Sequence, residues 1–176
     1  MKTSFPLSGL TLFLLLFILP ARAAAPTYQV EVKCELKRFE VKRSVSKNTE
    51  TAEENWVYLV TITNHSFKEI PDLRVDYVVF SKHEKFGSDS GEVDPARTTG
   101  SKALGSLQNN GKTSFETEQI KLQTDRLKGG WYYPSGAKRK AKDEVSGIWV
   151  RVYSGSELIN EFAQPASLKT QEKWDH

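Results

Sequence analysis

Trp56-Val-Tyr-Leu-Val-Thr-Ile-Thr63 alternates strictly, with Tyr58, Val60 and Ile62 on one parity and Val57, Leu59 and Thr61 on the other. β-Branched and aromatic side chains dominate, and a two-residue period describes them better than a helical one. The segment therefore reads as a strand with Tyr58, Val60 and Ile62 facing a core. The same period recurs upstream in Tyr28, Val30, Val32, Cys34 and Leu36. Phe39 and Val41 continue it with shifted parity, which predicts a bulge or a change of sheet near Lys37-Arg38. Ser44 to Asn55 is polar and acid-rich and reads as a connection.

Downstream, Pro71 opens a strand in which Leu73, Val75, Tyr77 and Val79 alternate with Arg74 and Asp76. Residues 82–100, with Gly87, Gly91, Pro95 and Gly100, read as a long loop, and 102–108 as a weak strand. Asn109-Asn110-Gly111 is a tight-turn signal. Thr113, Phe115 and Thr117 follow, with another parity shift before Ile120 and Leu122. Residues 124–145 are polar and basic and read as a second loop. Ile148, Val150 and Val152 then form an inner face, while Trp149, Arg151 and Tyr153 form a partly exposed strip with the Arg151 head in solvent. Ser154-Gly155-Ser156 turns the chain into a last strand, Glu157 to Ala163, stopped by Pro165. Together these predict an all-β fold, a single antiparallel immunoglobulin-like β-sandwich of about seven or eight strands. It spans residues 24–165, and 166–176 form a loose polar tail. Its core is expected to gather Val60, Ile62, Val75, Ile148, Val150 and Val152.

Tyr58-Leu-Val-Thr-Ile-Thr-Asn-His-Ser66 resembles the strand-and-turn signature of CARDB-type bacterial adhesion modules. Leu107-Gln-Asn-Asn-Gly-Lys-Thr-Ser-Phe115 is similar to their later hairpin. The resemblance covers residues 56–122 and implies an exported immunoglobulin-like or fibronectin-III-like module; it carries no catalytic residues.

Residues 1–23 have the layout of a secretory signal peptide. Lys2 supplies a positive start, Leu10 to Leu19 an apolar run, and Ala21-Arg22-Ala23 a small-x-small cleavage site. The run is about half the ~20 residues a membrane span needs, so no span is expected after cleavage. The segment carries two bases and no acid, leaving 23 bases against 22 acids in the remaining 153 residues. Such a near-neutral chain lacks the footprint of a dedicated nucleic-acid binder. Cys34 is the sole cysteine, so no intrachain disulfide forms, which fits a bacterial envelope better than a disulfide-stapled animal domain. Its place in an alternating strand marks it as a buried thiol.

Chemistry is sparse. His65, His83 and His176 are the three histidines, at no metal-ligand spacing from one another. Gly87-Ser-Asp-Ser-Gly91 has Asp89 where a nucleophile elbow requires serine. Asp89, Glu92 and Asp94 are oxygen donors of a kind calcium takes, but their spacing is that of a solvated loop. Asp72 and Asp76 near Arg74 read as surface carboxylates, and Asn64-His65-Ser66 matches a glycosylation acceptor.

The unusual segment is Gly129-Gly-Trp-Tyr-Tyr-Pro-Ser-Gly136, followed at once by Lys138, Arg139 and Lys140. Three consecutive aromatics cannot all enter one core face, so at least one is expected near the surface, where it stacks on flat ligands beside cations. Trp131, Tyr132, Tyr133, Lys138, Arg139 and Lys140 are therefore the candidate ligand-binding residues, set against a reading in which the aromatics plug the sandwich end. No catalytic residue, metal or cofactor is expected. The expected role is a non-catalytic binding or structural module of a bacterial envelope, periplasmic in preference to released, with an anionic glycan or an acidic protein surface as partner. The alternatives are a carbohydrate-binding module using the 129–142 loop, and a hydrolase that would gather His83 with Asp89 or Glu92.

Overall fold

The computed structural model describes residues 27–88 and 91–174; the expected signal peptide, Asp89 and His176 lie outside the described residues. Nine strands run through them: β1 (Val30–Val45), β2 (Thr49–Asn64), β3 (Ile70–Glu84), β4 (Val93–Leu107), β5 (Lys112–Glu116), β6 (Ile120–Leu127), β7 (Lys140–Lys142), β8 (Glu144–Ser154) and β9 (Glu157–Gln164). One helical turn, α1 (Leu168–Gln171), follows. The first sheet has the order β1-β2-β6-β7 with β5 also on β2, and the second the order β4-β3-β8-β9. Every pairing is antiparallel, so the chain is an all-β sandwich.

The core is the one the alternation predicts. Val60, Ile62, Val75, Ile148, Val150 and Val152 are all fully buried in a single cluster between the sheets. Phe39 is the bulged residue, because Arg38 pairs with Trp56 and Glu40 with the adjacent Asn55. The later parity shift is also real. β5 and β6 run one after the other along β2, and Thr117 in the break exchanges hydrogen bonds with the Tyr58 backbone. Tyr77 reaches across from the second sheet, its hydroxyl accepting from the Glu118 N–H at 2.9 Å. The ring lies where a side chain on the paired Gly100 would be: a Cβ there would stand 2.3 Å from the Tyr77 oxygen.

Several expectations need correction. Ser44 to Asn55 is strand for nearly its whole length, as pairing continues to Val45↔Glu50 around a tight turn. Residues 93–100 likewise belong to β4, leaving only 85–92 as loop, and β6 and β7 occupy both ends of the expected 124–145 loop. These strands project past the core, so their two faces differ little in polarity and the alternation is muted.

The second sheet is covered on its outer face as well. Val78, Phe80, Trp149 and Leu168 form a second buried cluster, with Ala163 and Trp174 packed on it. The segment from Ala166 is therefore no loose tail: Leu168 inserts into this cluster, Trp174 meets Trp149 edge-on at 5.3 Å, and Glu172 pairs with Arg97 at 2.6 Å. Trp149 is buried where an exposed strip was expected. Arg151 is half-buried, bonded through Nε to Glu161 at 2.6 Å and lying over both tryptophans. Asp76 is buried too, accepting from Ser101 Oγ at 2.6 Å.

At one end of the sandwich the buried Asn64 donates through Nδ2 to the carbonyls of Lys68, Leu107 and Gln108 and accepts from the Ser66 N–H. That use of the amide leaves it inaccessible to glycosylation in the folded chain. The candidate loop lies at the opposite end.

Candidate functional site

The loop between β6 and β7 is held by its own turns. The Trp131 N–H bonds the Lys128 carbonyl at 3.2 Å across Gly129-Gly130, and Gly130 has φ of 88°, as the third position of a type II turn requires. The Gly136 N–H bonds the Tyr133 carbonyl at 3.0 Å across Pro134-Ser135, with proline at the position whose φ it pre-sets. The two flanks close on each other through Leu127 N–H to the Arg139 carbonyl at 2.9 Å. The loop is also tied to the β1–β2 turn, since the Lys128 N–H donates to the Asn48 carbonyl at 2.9 Å.

Asp143 fastens the exit of the loop to both sheets. One oxygen accepts the Glu84 N–H at 3.1 Å; the other accepts the Gln123 N–H at 2.9 Å and contacts His83 Nδ1 at 2.9 Å. Glu84 in turn holds Lys138 Nζ at 2.8 Å and accepts the Lys142 N–H at 3.1 Å. The Lys138 hydrogen bond, followed by that of the Lys142 N–H, draws the Glu84 carboxyl below its ordinary 4.5.

The three aromatics divide. Tyr133 is the one that packs inward, edge-on to Phe86 at 5.9 Å and over Gly87. Trp131 and Tyr132 remain 44% and 74% exposed. Among the cations, Lys138 is engaged by Glu84, while Arg139 and Lys140 are exposed and make no ion pair among the described residues. Tyr132, Tyr133, Lys138, Arg139 and Lys140 border one open depression of about 650 Å³. Trp131 stands outside that rim.

Lys140 also borders a second hollow, of about 560 Å³, with Arg43, Val45, Glu50, Ala52 and Arg126. Register explains the grouping. Val45, Glu50, Arg126 and Lys140 are successive partners across four strands, and Arg43, Ala52, Thr124 and Lys142 form the next row. Partners across a sheet share a face. Arg126 is bonded to Glu50, and that contact draws the Glu50 carboxyl below 4.5. Arg126 was missed from the sequence because it stands in a segment read as a loop, and Arg43 because the strand after Val41 was not followed past it; the alternation Val41, Arg43, Val45 was the available signal.

His83 does not pair with Glu92, one of the two carboxylates the hydrolase reading called for. Glu92 pairs with Lys85 at 3.4 Å, Asp89 lies outside the described residues, and His83 contacts Asp143 instead. That pair borders a cleft of about 610 Å³ whose other walls are amides, lysines and the carboxylates Glu40, Glu53 and Glu54. The remaining acceptor positions of Asp143 serve backbone N–H groups, so its arrangement is that of a staple between sheets.

No family model and no curated protein sequence matches the chain. Among solved structures it is similar to "X-ray structure of Northeast Structural Genomics Consortium target SoR45", at 11% identity over 79% of this chain and 88% of that one, with a TM-score of 0.33.

Proposed function

We propose that the protein is an exported, non-catalytic binding module of a bacterial envelope, retained in the periplasm, that recognises an anionic partner through residues 129–142. The observation that carries this reading is the pairing of exposed Trp131 and Tyr132 with Arg139 and Lys140, which have no ion-pair partner among the described residues, on a loop closed by two turns and a short strand. Flat π-faces beside free cations suit a ligand that offers both surface and negative charge. Recognition at loops on the end of a rigid sandwich is the common use of such folds.

The finer immunoglobulin-like assignment has support in the strand order. With β5 and β6 counted as one interrupted strand and the three-residue β7 set aside, the sheets group the first, second and fifth strands against the fourth, third, sixth and seventh. The CARDB-type likeness has support in Asn64, which belongs to the first quoted motif and donates to Leu107 and Gln108 of the second.

The test is equilibrium binding of the exported form to polygalacturonate, with a neutral dextran as control. Replacing Arg139 and Lys140 by alanine should weaken binding more at low salt than at high salt, because exposed charges are screened. Trp131→Ala should weaken it at any salt. Unchanged binding in both variants would remove the reading. A carbohydrate-binding module is the second reading, favoured by the degree of exposure of Tyr132 at the rim of the open depression. It predicts retention on the neutral glycan as well.

A further inference from the structure

The end of the sandwich that carries the 129–142 loop concentrates two properties at once. The first is charge. Arg126 and Lys140 are direct partners across β6 and β7, a like-charge pairing that costs stability unless something anionic answers it. Glu50 answers Arg126, but Arg43 and Lys140 have no ion-pair partner among the described residues. Lys47, Lys128 and Arg139 join them, because the β1–β2 turn and both flanks of the loop are hydrogen-bonded together. In the two rows that Val45 and Arg43 begin, the cations Arg43, Arg126, Lys140 and Lys142 stand against the one acid Glu50, in a chain whose bases and acids nearly balance once residues 1–23 are set aside.

The second property is exposed apolar surface. Of the large apolar residues exposed among the described residues, Val41, Val45, Val93, Trp131 and Tyr132 lie toward this end, Phe39 lies at mid-strand, and Phe67 and Leu158 lie at the other end. Val45, at the tip of the β1–β2 arm, is 66% exposed and sits in the same row as Lys140. A soluble glycan gains from Trp131 and Tyr132 by stacking, but an aliphatic tip offers it no flat face. A bilayer interface uses both, taking aliphatic and aromatic tips into the headgroup zone while long cationic side chains reach back to phosphate.

We infer that this end docks on the surface of an anionic lipid bilayer, with Val45, Trp131 and Tyr132 entering the headgroup region and Arg43, Arg139 and Lys140 facing lipid phosphates. The inference rests on the reading of the 129–142 loop as a recognition surface and names its partner. It calls for no membrane span; among the described residues no helix is long and apolar enough to cross one.

The experiment is co-sedimentation of the exported form with phosphatidylcholine vesicles, with and without phosphatidylglycerol, beside binding to dextran sulfate in solution. The wild-type chain should sediment with the phosphatidylglycerol vesicles alone. Each cation removed near an anionic surface lowers partitioning about fivefold, so replacing Arg43, Arg139 and Lys140 together by serine should lower it about 100-fold. Val45→Ser, an uncharged change at a solvent-exposed position, should reduce vesicle binding and leave dextran sulfate binding unchanged. Binding to dextran sulfate without binding to vesicles would overturn the lipid inference and leave the anion-binding reading standing. Binding to neither would overturn both. Vesicle binding that Val45→Ser does not alter would also overturn the inference, because charge alone would then explain it.

Discussion

Replacing Arg151 by alanine tests how the outer face of the second sheet is held together. The guanidinium bonds Glu161 at 2.6 Å and stands 4.3 Å from the Trp174 ring centre and 5.4 Å from that of Trp149. A hydrogen bond between charged groups contributes about 1.5–3 kcal/mol, and a partly desolvated cation–π contact about 0.5–2 kcal/mol. Glu161 keeps some solvent access and can rehydrate, and contacts that share one group do not add in full. The expected cost of Arg151→Ala is therefore about 2–4 kcal/mol, and that of Arg151→Met, which keeps the stem against Trp149, about half as much. Acid adds a second readout. Burial pushes the Glu161 carboxyl up, but the Arg151 hydrogen bond and the Arg151 and Lys169 charges outweigh it and hold the group below 4.5. A depressed carboxyl contributes stability above its unfolded value, and that contribution is lost as the pH falls through the folded one. The wild type should thus lose stability below pH 4.5 more steeply than Arg151→Ala does. Urea unfolding followed by tryptophan fluorescence, at neutral pH and below pH 4.5, measures both effects. A variant within about 0.5 kcal/mol of wild type at neutral pH, or one with an unchanged acid limb, would refute the account.

Ile62→Ala should cost about 2–5 kcal/mol in the same urea assay, against about 0.5 kcal/mol or less for Arg139→Ala; equal costs would mean that the inner face is misassigned. Gly100→Val should displace the Tyr77 ring, whose oxygen stands 2.3 Å from the added Cβ, and lower the thermal midpoint; an unchanged midpoint would show that the ring moves freely. Burial pushes the Cys34 thiol up to about 12, so iodoacetamide at neutral pH should modify it slowly in the native chain and rapidly in urea, as mass spectrometry will report. Fast native labelling would contradict the packing of Cys34 against the core.

The inner faces were legible because burial on one side writes a period of two into the sequence. Tyr58, Val60 and Ile62 needed nothing more, and the displaced parity at Phe39 located a bulge to within two residues. The β1–β2 arm was not legible. Glu50, Glu53 and Glu54 lie on strand segments that project past the core, so no apolar contrast separates one face from the other. The covered outer face of the second sheet was missed for the opposite reason. Val78, Phe80 and Trp149 looked like the exposed parity, and their cover is a short C-terminal segment whose polar composition hides Leu168 and Trp174. In the candidate site the aromatic and basic run was visible, but its partners Arg43, Arg126 and Val45 come from strands distant in sequence. Only the register across β1, β2, β6 and β7 brings them together.

Ion pairing divides the basic run, which composition alone presents as one patch. Lys138 is spent on Glu84, and through Glu84 it secures the loop to β3. Ala141 is buried beside its partner Asp125, which places Lys140 and Lys142 together on the other face of β7, the one that continues the parity of Leu122. Lys142 has Glu144 at 3.4 Å, so Arg139 and Lys140 are the members of the run with no ion-pair partner among the described residues. The division separates two roles that a uniform patch would merge. Losing Lys138 frees Glu84 and loosens the frame, so its effect should reach the packing of Tyr133 against Phe86 and persist at high salt. Losing Arg139 or Lys140 leaves every described ion pair intact, so its effect should be confined to ligand affinity and fade as salt screens exposed charge. A basic run thus serves anchoring and recognition at different residues, and the acid within reach of each cation decides which residue does which.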